Sequence, residues 1–195
     1  AGLPMLGLNT RRGNVAEGDN GLSALIGREV EARRAIDEAV TYARIIGARA
    51  IHVMAGFASG DEARATFVAN LRYACTQASL HDLTILIEPL NSKDAPGYFL
   101  TTTTQACEII EEVGRPNLKL MFDCYHVQIM EGNLITRLET LKPVIGHIQF
   151  ASVPDRGAPD HGEIHYPDIF GCIERLGFDI APGAEYKVDG RTEDS

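Results

Sequence analysis

Four apolar runs in this sequence end on a polar residue that a buried strand has no packing reason to choose. Glu88 closes Thr84-Ile-Leu-Ile, Asp123 follows Leu120-Met-Phe, Gln149 follows His147-Ile, and Glu185 follows Pro182-Gly-Ala. Three carboxylates and an amide offer only oxygen. That donor set suits a hard octahedral cation, Mg²⁺ or Mn²⁺, with positions left for substrate or water. One such residue alone reads as a solvated turn carboxylate or a helix N-cap; four at the ends of successive runs ask for a shared position. If Glu88 and Glu185 lie on strands three apart, they face each other across a barrel mouth, where one can take a proton from a substrate carbon while the other serves the opposite side. The cation would hold a carbonyl and a neighbouring hydroxyl oxygen and stabilise an enediolate.

The elements that would position them follow from hydrophobic periodicity. Short β-branched runs predict strands at Leu3 to Leu8, Ala50 to Met54, Thr84 to Ile87, Leu118 to Phe122, Ile145 to Phe150 and, more weakly, Ala181 to Tyr186. Between them, helical stripes appear: Ile36, Ala39, Val40, Ala43, Ile46; Phe67, Val68, Leu71, Ala74, Cys75, Ala78; Ala106, Ile109, Ile110, Val113; Leu134, Leu138, Leu141; and Ile169, Phe170, Ile173, Leu176. Gly47, Gly114 and Gly177 follow stripes as C-terminal caps, Ser59-x-x-Glu62 and Thr102-x-x-Gln105 resemble capping boxes, and Pro167 suits a first helical position.

Strand followed by helix, repeated, predicts βα units and a parallel sheet. The segment after the first strand, Leu8-Asn9-Thr10-Arg11-Arg12-Gly13, is neither GxGxxG nor a P-loop, which argues against a nucleotide-binding doubly wound sheet. A (β/α)8 barrel remains, although 195 residues fall short of the usual length by about two βα units. The loops 9 to 27 and 151 to 166 are long enough to be functional.

Composition narrows the function classes. The 45% hydrophobic and 23% charged balance is that of a soluble globular chain, and a net charge of −9 gives no field to attract nucleic acid or an anionic membrane. The four cysteines form no CxxC pair or clustered zinc pattern and read as reduced thiols of a cytoplasmic protein. No apolar run is long enough to span a membrane, and the start lacks the charged region of a signal peptide.

Ile87-Glu88-Pro89-Leu90-Asn91, Phe122-Asp123-Cys124-Tyr125-His126, Gly146-His147-Ile148-Gln149, Pro154-Asp155-Arg156 with Gly162-Glu163-Ile164, and Gly183-Ala184-Glu185-Tyr186 resemble, in order and spacing, the signatures of the hydroxypyruvate isomerase family of xylose-isomerase-like TIM barrels. The likeness extends to Leu8-Asn9-Thr10, Gly27-Arg28-Glu29 and Asn70-Leu71-Arg72-Tyr73-Ala74. It implies one partial barrel domain over residues 1–195, lacking the first two βα units and the last helix. The implied metal site is Glu88, Asp123, Gln149 and Glu185, with Glu88 and Glu185 as the acid/base pair. Gln149 stands where the related ketose 3-epimerases carry His, which favours Mg²⁺ over a softer ion.

The resemblance also gives His126 to a substrate hydroxyl or carbonyl oxygen and Arg156 to its carboxylate, a group that Arg clamps bidentately. Taken alone, His126 reads as a helix-end or core histidine, and Arg156 as a loop charge paired with Asp155 or Asp160. Lys187 would share the strand face of Glu185 if that strand continues, and would help bind an anionic substrate; a surface lysine is the plainer reading. His52, His147, His161 and His165 are too scattered for the zinc cluster of the distant endonuclease IV relatives. The expected activity is isomerisation of hydroxypyruvate to 2-hydroxy-3-oxopropanoate, with no nucleic-acid or membrane partner; a homo-oligomer is compatible with it. The alternatives are a 2-oxo-tetronate isomerase, a ketose 3-epimerase, and, in another class, a non-catalytic sugar-acid binding module or an inactive barrel fragment.

Overall fold

A computed structural model describes residues 4–188. Six strands, β1 (Gly7–Asn9), β2 (Ala50–His52), β3 (Thr84–Ile87), β4 (Leu118–Asp123), β5 (Ile145–Phe150) and β6 (Gly183–Ala184), pair in parallel in sequence order. The crossovers carry α1 (Glu29–Ile46), α2 (Gly60–Ser79), α3 (Thr103–Val113), α4 (Cys124–Met130), α5 (Leu134–Leu141) and α6 (Tyr166–Leu176). Neighbour-to-neighbour order with helical crossovers is the winding of a (β/α) barrel, and the sheet curls as part of one.

Alternation along each strand sorts residues to two faces. Ile51, Ile85, Ile87, Leu118, Leu120, Phe122 and Ile148 point outward into the main core, against the helical stripes of Phe67, Leu71, Ile109 and Ile173. Ala50, Leu86 and Met121 point inward and form a small apolar cluster of their own. Two residues further along the same strands, hence on the same inward face, stand His52, Glu88 and Asp123, with Gln149 two beyond His147.

Most of the expected elements form. Gly47, Gly114 and Gly177 take left-handed C-cap conformations, Thr102 accepts from the Gln105 N–H, and Pro167 lies in the first turn of α6. Ser59 makes no side-chain cap bond; Gly60, the first residue of α2, stands at φ 85°. β1 begins at Gly7 and runs to Asn9, and β2 stops at His52 short of the expected Met54, whose N–H donates to the Thr10 hydroxyl at 3.2 Å. Leu3, placed in the first expected strand, lies outside the described residues. The weak last strand contracts to two residues. One helix was not expected: α4 starts directly after β4 with no polar linker, because Asp123 itself caps it, its Oδ1 accepting from the Tyr125 N–H at 2.8 Å.

The long loop after β1 is fastened down. Asp19 accepts from the Asn14 N–H at 2.7 Å and binds Arg28 at 2.9 Å through both oxygens. Gly21 and Gly56, both at positive φ, touch so closely that a Cβ on Gly56 would lie 2.4 Å from the Gly21 carbonyl oxygen. Glycine is required at that crossing.

Candidate active site

The C-terminal ends of β2 to β5 bring His52, Glu88, Asp123 and Gln149 onto one inward layer, and the first turn of α4 adds His126, three residues after Asp123. Asp123 and Gln149 are register partners across β4 and β5. His126 Nε2 lies 3.7 Å from Asp123 Oδ2 and 4.0 Å from Glu88 Oε1, and His52 Nδ1 lies 3.5 Å from Glu88 Oε2.

The polar atoms of this layer lack partners. His52 Nε2, Glu88 Oε1, Asp123 Oδ2, His126 Nε2 and Gln149 Oε1 are buried without a hydrogen bond. A buried orphan polar atom costs about 1–3 kcal/mol, and five at the ends of β2 to β5 and the start of α4 mark a place shaped for a bound polar group. Glu88, Asp123 and His126 each bring a polar atom within 4.8 Å of the others, so the two carboxylates stand close enough to share a cation.

The electrostatics agree. Burial pushes the Glu88 carboxyl well above the ordinary range, Asp123 and Glu185 push it further, and Arg156 opposes them. Burial takes Asp123 up to about 7 against the pull of the Tyr125 amide. His52 falls to about 4 and His126 to about 3, both chiefly through burial, so both rings are neutral at neutral pH. A divalent cation would reverse the penalty on the carboxylates.

Arg156 reaches in from the loop after β5. Its φ of 59° is unusual for a residue with a Cβ; its N–H donates to the Ser152 carbonyl at 2.9 Å, and its own carbonyl accepts from the Lys187 N–H at 2.7 Å. Nη2 lies 2.7 Å from Glu185 Oε2 and 3.8 Å from Asp123 Oδ2, and the guanidinium sits 5.0 Å from the Tyr125 ring centre. Burial works against this charge, but Glu185, Asp123 and Glu88 outweigh it and raise its pKa. The expected partners Asp155 and Asp160 instead bracket His161, each at 2.7 Å.

Of the residues singled out from the sequence, Glu88, Asp123, Gln149, His126 and Arg156 come together. Glu185 stands at the rim, its side chain 47% exposed and held by Arg156 rather than converging with the buried oxygens. It still lines the same cavity of about 320 Å³, with Arg12, His52, Glu88, His126 and Arg156. Lys187 does not share a strand face with Glu185, because β6 stops at Ala184; it is exposed and supplies a backbone N–H to Arg156.

Sequence reasoning missed the part played by His52, which ends an apolar run just as the other four do. It also missed Asn91, Asp94 and Tyr125, which surround His126 and Arg156. Among the described residues, no helix is long and apolar enough to cross a membrane.

Comparison with known proteins agrees with the barrel winding. The family model described as xylose isomerase-like TIM barrel matches residues 1–195. The chain is 45% identical over 190 residues to the 2-oxo-tetronate isomerase of Cupriavidus necator, covering 95% of this chain and 73% of that protein. It is 41% identical over 190 residues to the hydroxypyruvate isomerase of Escherichia coli, with the same coverage of 95% and 73%. Among solved structures, the one described as AP endonuclease, family 2 from Brucella melitensis superposes with TM-score 0.95 at 39% identity, over 98% of this chain and 76% of that one.

Proposed function

We propose that this chain, which belongs to the xylose isomerase-like TIM barrel family, is an isomerase that interconverts hydroxypyruvate and 2-hydroxy-3-oxopropanoate with the help of a divalent cation. The observation that carries the reading is the inward layer of buried, unpartnered oxygens at the strand ends: Glu88 Oε1, Asp123 Oδ2 and Gln149 Oε1. Glu88, Asp123 and Gln149 would hold the cation, with Glu185 joining from the rim. All four donors are oxygen, which favours a hard cation, Mg²⁺ or Mn²⁺, over a softer ion. The cation, when bound, supplies positive charge to a substrate carbonyl and a neighbouring hydroxyl oxygen.

The chain's own groups handle the protons. One of Glu88 and Glu185 takes a proton from the hydroxyl-bearing carbon C3, leaving an enediolate, and a proton is delivered to C2; the hydroxyl proton of O3 passes to O2. The product is the aldehyde isomer, with no change in composition. His126 Nδ1 accepts a backbone N–H, so its proton-bearing Nε2 is suited to donate to a substrate oxygen and not to bind the cation. Arg156 would take the carboxylate.

The second reading is a 2-oxo-tetronate isomerase, supported by the 45% identity to a relative of that name. A proton NMR time course in D₂O separates them: each acid is incubated with the protein in Mg²⁺ and then in EDTA. Mg²⁺-dependent formation of 2-hydroxy-3-oxopropanoate, faster than turnover of the four-carbon acid, is expected. The reverse order would select the second reading, and turnover undiminished by EDTA would remove the cation from the mechanism.

A further inference from the structure

A continuous set of contacts runs from His126 to Arg156 through residues to which the proposed chemistry gives no part. His126 Nδ1 accepts from the Asn91 backbone N–H at 3.0 Å, and Asn91 Nδ2 lies 2.7 Å from the same nitrogen. A backbone amide only donates, so Nδ1 presents its lone pair and the single proton of the neutral ring sits on Nε2. The Asn91 amide is in turn oriented by Asp94. The Asp94 N–H donates to Asn91 Oδ1 at 2.8 Å, and Asn91 Nδ2 donates to Asp94 Oδ2 at 3.2 Å. That same oxygen accepts from the Tyr125 hydroxyl at 2.7 Å, and the Tyr125 ring lies against the Arg156 guanidinium, 5.0 Å from its centre.

We propose that Asp94, at the lip of the cavity, is a positioning residue for both proposed substrate-binding groups: through the Asn91 side-chain amide it braces His126 Nδ1 beside the Asn91 backbone N–H, and through Tyr125 it holds the ring on which Arg156 rests. One carboxylate thus sets the donor for a substrate oxygen and the cation for its carboxylate. The kinetic part of this inference rests on the isomerase reading; the nitrogen signals of the ring do not, because they are read without turnover.

The test uses the full chain with ¹⁵N-labelled histidine, the His126 signals being assigned by difference against His126→Gln. Nitrogen NMR is recorded for wild type, Asp94→Ala, Asp94→Asn and Tyr125→Phe, with kcat and KM measured alongside. The expected wild-type ring is the Nε2–H tautomer. In Asp94→Ala the ring stays Nε2–H, because the Asn91 backbone N–H remains, but the Nδ1 resonance moves as the Asn91 side-chain amide leaves it, and kcat/KM falls about 10- to 100-fold, the range for loss of a group that orients a ligand-binding residue. Asp94→Asn, whose amide oxygen still accepts from Tyr125 and Asn91, restores the Nδ1 resonance and most of the activity. Tyr125→Phe raises KM and leaves the Nδ1 resonance alone. An Nδ1–H ring in wild type, or a wild-type Nδ1 resonance and kinetics in Asp94→Ala, would overturn the proposal. Equal losses in Asp94→Ala and Asp94→Asn with an unchanged Nδ1 resonance would also overturn it, assigning Asp94 a direct substrate contact. A chain inactive on both acids that still shows the displaced Nδ1 resonance in Asp94→Ala would refute the isomerase reading and uphold the positioning role.

Discussion

Arg156 Nη2 lies 2.7 Å from Glu185 Oε2, so the residue proposed for the substrate carboxylate and a residue proposed for the cation hold one another. The two uses of Glu185 compete, because an oxygen shared with a guanidinium is a poorer ligand. Arg156→Ala is therefore expected to raise the KM of the acid substrate about 10- to 100-fold, the loss of a charge-assisted pair. Mg²⁺ affinity, measured by calorimetry, should rise in the same variant. A fall in affinity would show that Arg156 helps to build the cation site.

Glu88→Gln and Glu185→Gln keep the shape of each side chain and remove its ability to carry a proton. Each should lower kcat by about 10²- to 10⁴-fold, the usual worth of a general acid or base, with near-ultraviolet circular dichroism unchanged. Near wild-type turnover in either variant would remove that residue from the acid/base pair.

Asp123 makes the apo chain's stability depend on pH. Its pKa rises from 3.8 to about 7 in the fold, so between those values the folded chain binds a proton that the unfolded chain has lost. Stability is highest below about pH 4 on this account, falls as pH rises to about 7, and is flat above. Neutral His52 and His126 act in the opposite sense, contributing above pH 6.5 and losing that contribution as pH falls toward about 4 and about 3. Comparing Asp123→Asn with wild type in EDTA isolates the carboxylate. The variant should gain on wild type by about 2–4 kcal/mol between pH 4 and pH 8; urea melts giving the same gap at both ends would contradict the assignment.

Mg²⁺ should stabilise the fold in proportion to its occupancy. At one hundred times its dissociation constant the gain is about 2.7 kcal/mol, which for a chain of this size is a rise in Tm of roughly 5–10 °C. Differential scanning calorimetry with Mg²⁺ and with EDTA reads it directly. Removing the Glu88 oxygens by Glu88→Ala should abolish the difference.

Gly56→Ala places a Cβ 2.4 Å from the Gly21 carbonyl oxygen at a φ of 97°. Backbone cannot yield there as a side chain can, so a loss of about 2–4 kcal/mol is expected in chemical denaturation. Because the displaced loop carries Arg12 to the cavity mouth, KM should rise as well.

The strands were readable because their outward residues, Ile85, Ile87, Leu120 and Phe122, are apolar and their inward ends are not. His52 was set aside as one of four scattered histidines, and only the position of Glu88 beside it, 3.5 Å away, gives it another meaning. α4 was invisible for a related reason: Asp123 serves both as the last strand residue and as the helix cap, leaving no linker to signal a new element. The rim position of Glu185 was out of reach from sequence. It depends on Arg156 arriving from a loop in a left-handed conformation that no local residue pattern announces, and on β6 being two residues long and ending before Glu185.

The alternation along the strands has a consequence for how such a chain can change. Leu86 and Glu88 look inward while Ile85 and Ile87 look toward the helices, so neighbouring codons serve two different selective demands. Substrate range can drift through the polar positions of the cavity wall while the apolar residues on both faces keep the packing that sets the melting temperature. A library that randomises Asn9, Arg12 and Asn20, which line the cavity and stand outside the apolar core, samples new substrate contacts on an unchanged scaffold.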